Sequence, residues 1–131
     1  MVLAQTAPVS KKMLWTGYVI SAIPVLMLLF SGIMKLVKPP SVVEGFVRLG
    51  YPASLVVGIG ILEIACTVVY LIPRTSVLGA ILLAAYLGGA TATHVRVGES
   101  AFIGPVVFGV LIWLGLFLRE PRLRALLPLR Q

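Results

Sequence analysis

Lys35, Glu63 and His94 are the residues of this chain whose types are suited to chemistry, and each interrupts or borders an apolar segment. Glu63 is the single carboxylate within GIGILEIACTVVYLI, residues 58 to 72. On insertion scales an ionised side chain at mid-bilayer costs at least about 2.5–3.5 kcal/mol, so it must face protein and find a partner. A lysine can neutralise it, and a histidine can hydrogen-bond to it or relay a proton. Two readings follow. Lys35 and Glu63 form a structural ion pair clamping two helices, with His94 hydrogen-bonded nearby. Alternatively the three line a polar pocket for a quinone headgroup or another small redox ligand, or for a proton relay. Tyr86 and Arg96 are further polar-core candidates, Tyr86 because Tyr86, Ala90 and His94 recur every four residues. Cys66 is the only cysteine and His94 the only histidine, which excludes an in-chain disulfide, a dithiol centre, a cysteine metal site and bis-histidine haem ligation. No metal site and no catalytic motif are expected.

These groups need helices to position them. Hydrophobic residues make up 60% of the 131-residue chain and charged residues 11%, too much apolar surface for a soluble domain of this size to hide. Four apolar runs, Met13 to Met34, Ala53 to Ile72, Val77 to Val95 and Ala101 to Leu118, each approach the ~20 residues that cross a bilayer as a helix. The expected fold is all-α: an integral membrane four-helix bundle forming one domain over residues 1–131. Its transmembrane helices lie near 13–36, 53–72, 77–96 and 101–119. The first run is too long for a signal-peptide core and lacks a small-x-small cleavage site, so it reads as a retained helix.

Between the first two runs, PPSVVEGFVRLGYP predicts a short amphipathic interfacial helix over about 42–49. Ser41 and Glu44 have capping-box spacing, Val42, Val43, Phe46 and Val47 form an apolar side, and Gly50 is placed to end the helix. A basic tail, 120–131, sets Leu123, Leu126 and Leu127 among arginines. Lys11, Lys12, Arg74, Arg119, Arg122, Arg124 and Arg130 fall on the side of the termini, and Lys35, Lys38, Arg48 and Arg96 on the other; seven against four predicts cytoplasmic termini. Trp15, Tyr18, Tyr51, Tyr70 and Trp113 lie near run ends, as interfacial anchors do. The net charge of +7 is accounted for by lipid headgroups and orientation, and nucleic acid is not an expected partner.

Helical side chains lean toward their helix N-terminus. Lys35 and His94, on outward-running helices, lean into the membrane, whereas Glu63, on an inward-running helix, leans out. The three are expected to meet about 10 Å beneath the outer surface, given ~1.5 Å of rise per residue. Pro24 is expected to bend the first helix and Pro105 to be tolerated near the start of the fourth. Ala80, Ala84, Gly88 and Ala92 form a small-residue stripe suited to close helix packing. Cys66 and Thr67, one turn below Glu63, read as packing residues.

Three blocks, RLGYP, GILEIACTVVYLIPRTSVLGAILLAAYLGGATATHVRVG and LREPRLRALLP, resemble the DoxX-like family of small four-helix membrane proteins, over nearly all the chain after its first dozen residues. The resemblance implies a bundle in a bacterial or archaeal cytoplasmic membrane. It also implies an association with quinone-linked oxidoreductase complexes of sulfur metabolism, from which the family takes its name. Glu63, His94 and Arg96 fall within the family-like segments. The favoured expectation is a non-catalytic accessory or assembly subunit, with the lipid bilayer and a larger membrane complex or a homo-oligomer as partners. The alternative is a small quinone- or ligand-binding redox protein centred on Lys35, Glu63 and His94. A transporter or channel ranks third, because four helices without repeats make a poor alternating-access machine.

Overall fold

The computed structural model describes residues 9–128, and among them every regular element is helical. Helix α1 spans Lys11–Val37, the short α2 Pro40–Arg48, α3 Val56–Leu71, α4 Ser76–Arg96, α5 Ile103–Arg119 and α6 Pro121–Leu126. With the short 3-10 turns that precede α3, α4 and α5, four of these are long and apolar enough to cross a bilayer. Each long helix packs against two others, in the ring order α1, α3, α4, α5 and back to α1. The chain is a membrane protein with an all-α bundle and a short amphipathic helix between its first two spans. Arg130 and the rest of the tail from residue 129 lie outside the described residues.

Local chemistry sets where the helices begin and end. The Ser10 hydroxyl accepts from the Met13 N–H at 3.2 Å and caps α1, which runs without a break through the buried Pro24. Helix α2 starts two residues earlier than the capping-box spacing suggests: Pro39 is its N-cap, Pro40 its first residue, and no side chain caps it. The reason is the proline pair. The fixed φ of Pro40 suits the first helical position, which leaves Ser41 inside the helix and unable to adopt cap geometry.

Two helices end in the same Schellman arrangement. At the end of α2 the Gly50 N–H reaches the Val47 carbonyl and the Tyr51 N–H the Phe46 carbonyl, both at 3.0 Å. At the end of α4 the Gly98 N–H reaches Val95 and the Glu99 N–H reaches His94, again at 3.0 Å. Gly50 and Gly98 have φ of 91° and 76°, values a side chain rarely tolerates.

The bundle is packed at the end that holds the termini. Buried Val25 and Leu28 of α1, Cys66 and Tyr70 of α3, Ala80, Leu83 and Leu87 of α4, and Ile112 and Leu116 of α5 form one core, with Leu123 of α6 against it. Glycines bring the helices into backbone contact there. A Cβ at Gly17 would lie 2.7 Å from the Gly115 carbonyl oxygen, and one at Gly79 would collide with the Tyr70 backbone.

The small-residue stripe of α4 does not make these contacts. Only Ala80 is buried, whereas Ala84, Gly88 and Ala92 are exposed. A four-residue repeat advances about 40° per step relative to a 3.6-residue helix, so the stripe winds out of the interface after its first member. The buried face instead follows Ser76, Gly79, Ala80, Leu83 and Leu87. Tyr70 is also a core residue and no interfacial anchor: it is 1% exposed, and its hydroxyl donates to the Ile112 carbonyl at 2.8 Å while accepting from Ser21 at 2.9 Å.

Candidate functional site

Toward the opposite end the helices enclose a cavity of about 770 Å³. Glu63, on the buried face of α3 between Gly60 and Cys66, stands at its floor and is joined to Lys35 of α1. The Lys35 ammonium donates to Glu63 Oε2 at 2.8 Å and to Ser31 Oγ at 2.6 Å, and Ser31 Oγ donates to the same carboxylate oxygen at 3.3 Å. The side chains are 13% and 2% exposed, so the pair sits well away from solvent. Desolvating two such charges is offset only by close geometry and added hydrogen bonds, which Ser31 supplies.

A glycine makes the pair sterically accessible. Gly60 lies one turn from Glu63, and a Cβ there would stand 2.7 Å from Lys35 Cβ and 3.0 Å from the Gly32 carbonyl oxygen. Without a side chain at residue 60, the lysine stem can pass across α3 to the carboxylate. The ammonium has three N–H groups, and two are engaged among the described residues. It also lies 5.9 Å from the centre of the Phe46 ring on α2, at the outer reach of a cation–π contact.

Tyr86 and His94 line the same cavity from α4. His94 Nδ1 lies 2.7 Å from the Ala90 carbonyl, an acceptor, so the proton of a neutral ring is on Nδ1 and Nε2 is left to accept. Arg96 does not line the cavity. It is exposed, and its Nη2 donates to the Leu49 carbonyl at 2.7 Å, across the mouth of the bundle.

Helix α2 covers this mouth. Ser41, Val42, Gly45, Phe46 and Leu49 face the cavity, while Val47 of the expected apolar side points outward and is exposed. Three contacts hold α2 and the turn after it to the end of α4: Arg96 to Leu49, the Arg48–Glu99 ion pair at 2.9 Å, and Tyr51 to Thr93 at 2.8 Å. Thr93 already donates to the Gly89 carbonyl at 2.9 Å, so Tyr51 is the donor to Thr93. Both Schellman turns meet in this latch. The one after α2 is further packed by Phe46 and Tyr51, whose ring centres are 6.0 Å apart.

Ser31, Tyr51, Phe46 and Thr93 belong to the site although sequence reasoning did not single them out as site residues. Ser31 precedes Lys35 by one helical turn, which was the available signal. Tyr51 reads as an interfacial anchor until the turn at Gly50 is known.

The remaining walls are apolar. Met27 and Phe30 of α1 line the cavity and are also more than half exposed, as is Leu62 of α3, so the cavity meets the lipid-facing surface between helices. The arrangement can therefore hold a molecule with an apolar body. It offers the head of that molecule a charged donor, an imidazole acceptor and a phenol. No group of histidine, cysteine and carboxylate side chains that could hold a metal occurs among the described residues.

Comparison with curated proteins and with solved structures yields no match. The DoxX-like family model matches residues 19–115, a span that contains the ion pair, the covering helix and both latch turns, and the chain belongs to the DoxX-like family.

Proposed function

We infer that this protein binds a small lipophilic ligand, of which a quinone is the leading class, in the cavity beneath α2. The observation that carries this reading is an ion pair at the floor of an otherwise largely apolar cavity of about 770 Å³, within the ~300–1,000 Å³ typical of small-molecule sites. A purely structural clamp does not require empty space beside it. A quinone carbonyl would accept from the Lys35 ammonium, and a quinol hydroxyl would donate to His94 Nε2. The apolar tail would leave between helices toward the lipid, along the surface marked by Met27 and Phe30. This is a binding role, and electron transfer would belong to a partner complex.

A second reading has its own observation. Ala84, Gly88 and Ala92 form a small-residue face turned outward, and an added Cβ at Gly88 or Gly89 would meet nothing within 4 Å. Such a face suits close approach of another membrane helix, as in an accessory subunit of a larger complex or a homo-oligomer. The two readings are compatible. The charge distribution favours cytoplasmic termini, which would put α2 on the outer side, and the family resemblance favours a prokaryotic inner membrane.

The test is to purify the chain in mild detergent beside Glu63→Gln and Lys35→Met/Glu63→Leu, extract each, and quantify quinones and lipids by mass spectrometry. Stoichiometric quinone in the wild type and none in the folded double variant supports the reading. Absence of any small ligand from the wild type, including after incubation with a short-chain quinone, rejects it.

A further inference from the structure

At the end of the bundle that carries the termini, two guanidinium groups have no carboxylate partner among the described residues. Arg119, the last residue of α5, lays its guanidinium over the rings of Tyr18 and Tyr70, 5.2 Å from each centre. Arg124 of α6 reaches Met13, with Nη1 3.6 Å from the thioether sulfur. Met13 and Gly17 are one turn apart on α1, and Arg119 Cβ lies against Gly17, 3.2 Å from where a Cβ would be. The two arginines are therefore placed along successive turns at the start of α1.

Both are under-satisfied. The Nε of each is enclosed and has no hydrogen-bond partner among the described residues. The ion pairs among those residues involve Lys35 and Arg48, not Arg119 or Arg124. The neighbouring carboxylate, Glu120, is engaged as the cap of α6, accepting from the Arg122 N–H at 3.1 Å. Lys11 and Lys12 add charge of the same sign, as does the positive end of the α1 dipole. The enclosed Nε atoms are out of reach of an incoming group, but the terminal Nη groups have no oxygen acceptor among the described residues and are free to meet a strong one.

We propose that Arg119 and Arg124 form a binding site for the phosphate group of an anionic phospholipid. The planar fork of an arginine matches a phosphate through two parallel hydrogen bonds. Lipid is favoured over free phosphate by the surroundings. Trp15 and Tyr18 on α1 and Leu126 and Leu127 beside α6 are exposed around the two arginines, an apolar flank for acyl chains at headgroup depth. The site is separate from the cavity, and because Arg119 rests on Tyr70 its occupation would brace the packed core.

The experiment uses the full chain, stripped of lipid in detergent. It is titrated with phosphatidylglycerol, phosphatidylcholine or inorganic phosphate, and the melting temperature is followed by tryptophan fluorescence. Phosphatidylglycerol alone should raise the melting temperature saturably. Arg119→Gln/Arg124→Gln should bind it about tenfold more weakly, the scale expected for lost hydrogen bonds to a charged group. Arg74→Gln, which removes one charge at the same end, should respond like the wild type. An equal response from the double variant, an equal loss in Arg74→Gln, or a full shift with inorganic phosphate would overturn the proposal. If the glutamine pair does not fold, Arg119→Lys/Arg124→Lys keeps the charge and removes the fork. It should then bind more weakly, and wild-type affinity in that variant would also overturn the proposal.

Discussion

The two halves of the bundle are built on opposite principles. In the half near the termini, glycines at residues 17, 79 and 115 bring helix backbones together and a continuous apolar core fills the space between them. In the half beneath α2, a glycine at residue 60 admits a lysine stem instead of a neighbouring backbone alone, and the space beyond stays open as a cavity. One half excludes volume and the other preserves it around a neutralised charge pair. A glycine in a membrane helix therefore has no single meaning, because its role depends on what is placed opposite it.

The hollow half is most sensitive at its charge pair. Glu63→Leu should destabilise by about 3–5 kcal/mol, because Lys35 is left as an uncompensated, mostly buried cation. Lys35→Met/Glu63→Leu should recover most of that loss while abolishing ligand binding. Thermal unfolding in detergent of the two single variants and the double variant closes the cycle, and additive losses would show that the pair is not coupled.

In the packed half the sensitive quantity is volume. A side chain at Gly115 would strike Ser21 Oγ and stand 2.9 Å from the Gly17 carbonyl oxygen. Gly115→Val should therefore cost about 1–3 kcal/mol by overpacking, read as a lowered melting temperature. The same change at Gly45, where an added Cβ meets nothing within 4 Å, should carry no such penalty.

A smaller effect is expected at the latch. Tyr51→Phe removes the donor to Thr93 and should cost about 1 kcal/mol in stability. It should also speed ligand release, measurable as a faster off-rate in a chase experiment. The Arg48–Glu99 pair should matter least. Arg48 is 68% exposed at its side chain, and such pairs are worth about 0–1 kcal/mol, so Glu99→Gln should leave the melting temperature nearly unchanged.

The sequence announced the hollow half better than the packed one. Glu63 was readable because a carboxylate in an apolar run demands a partner, and the lean of helical side chains pointed to Lys35 and His94. The structure joins Lys35 to Glu63 and puts His94 and Tyr86 on the same cavity. Helix α2 was readable from its prolines, valines and terminal glycine, although its cap was not, since Pro40 displaced Ser41 from the cap position.

The packed half was obscure because glycine carries no side chain to name its partner. Gly17 and Gly115 are remote in the chain, and nothing in either segment identifies the other. The four-residue stripe of α4 drew attention to a face that winds outward. Arg96, a candidate because it falls in a family-like segment, lies about 200° around the helix from His94, and its guanidinium meets the Leu49 carbonyl instead of the cavity. Gly98, whose positive φ builds half of the latch, gave no more signal than any glycine after a helix.

A ligand that fills the cavity should be displaced by a side chain placed there, and Gly45→Leu supplies one. Gly45 faces the cavity from α2 with open space before it, so leucine would occupy the cavity while leaving Lys35, Glu63 and His94 in place. Replacing glycine within a helix should by itself raise stability by up to about 1 kcal/mol. Titrating a short-chain quinone into the wild type and this variant, with melting temperatures measured in parallel, separates binding from folding. Binding at least about tenfold weaker, a loss of roughly 1.4 kcal/mol, is expected in a variant that melts no lower than the wild type. Unchanged affinity in that variant, or no quinone binding by the wild type, would contradict it.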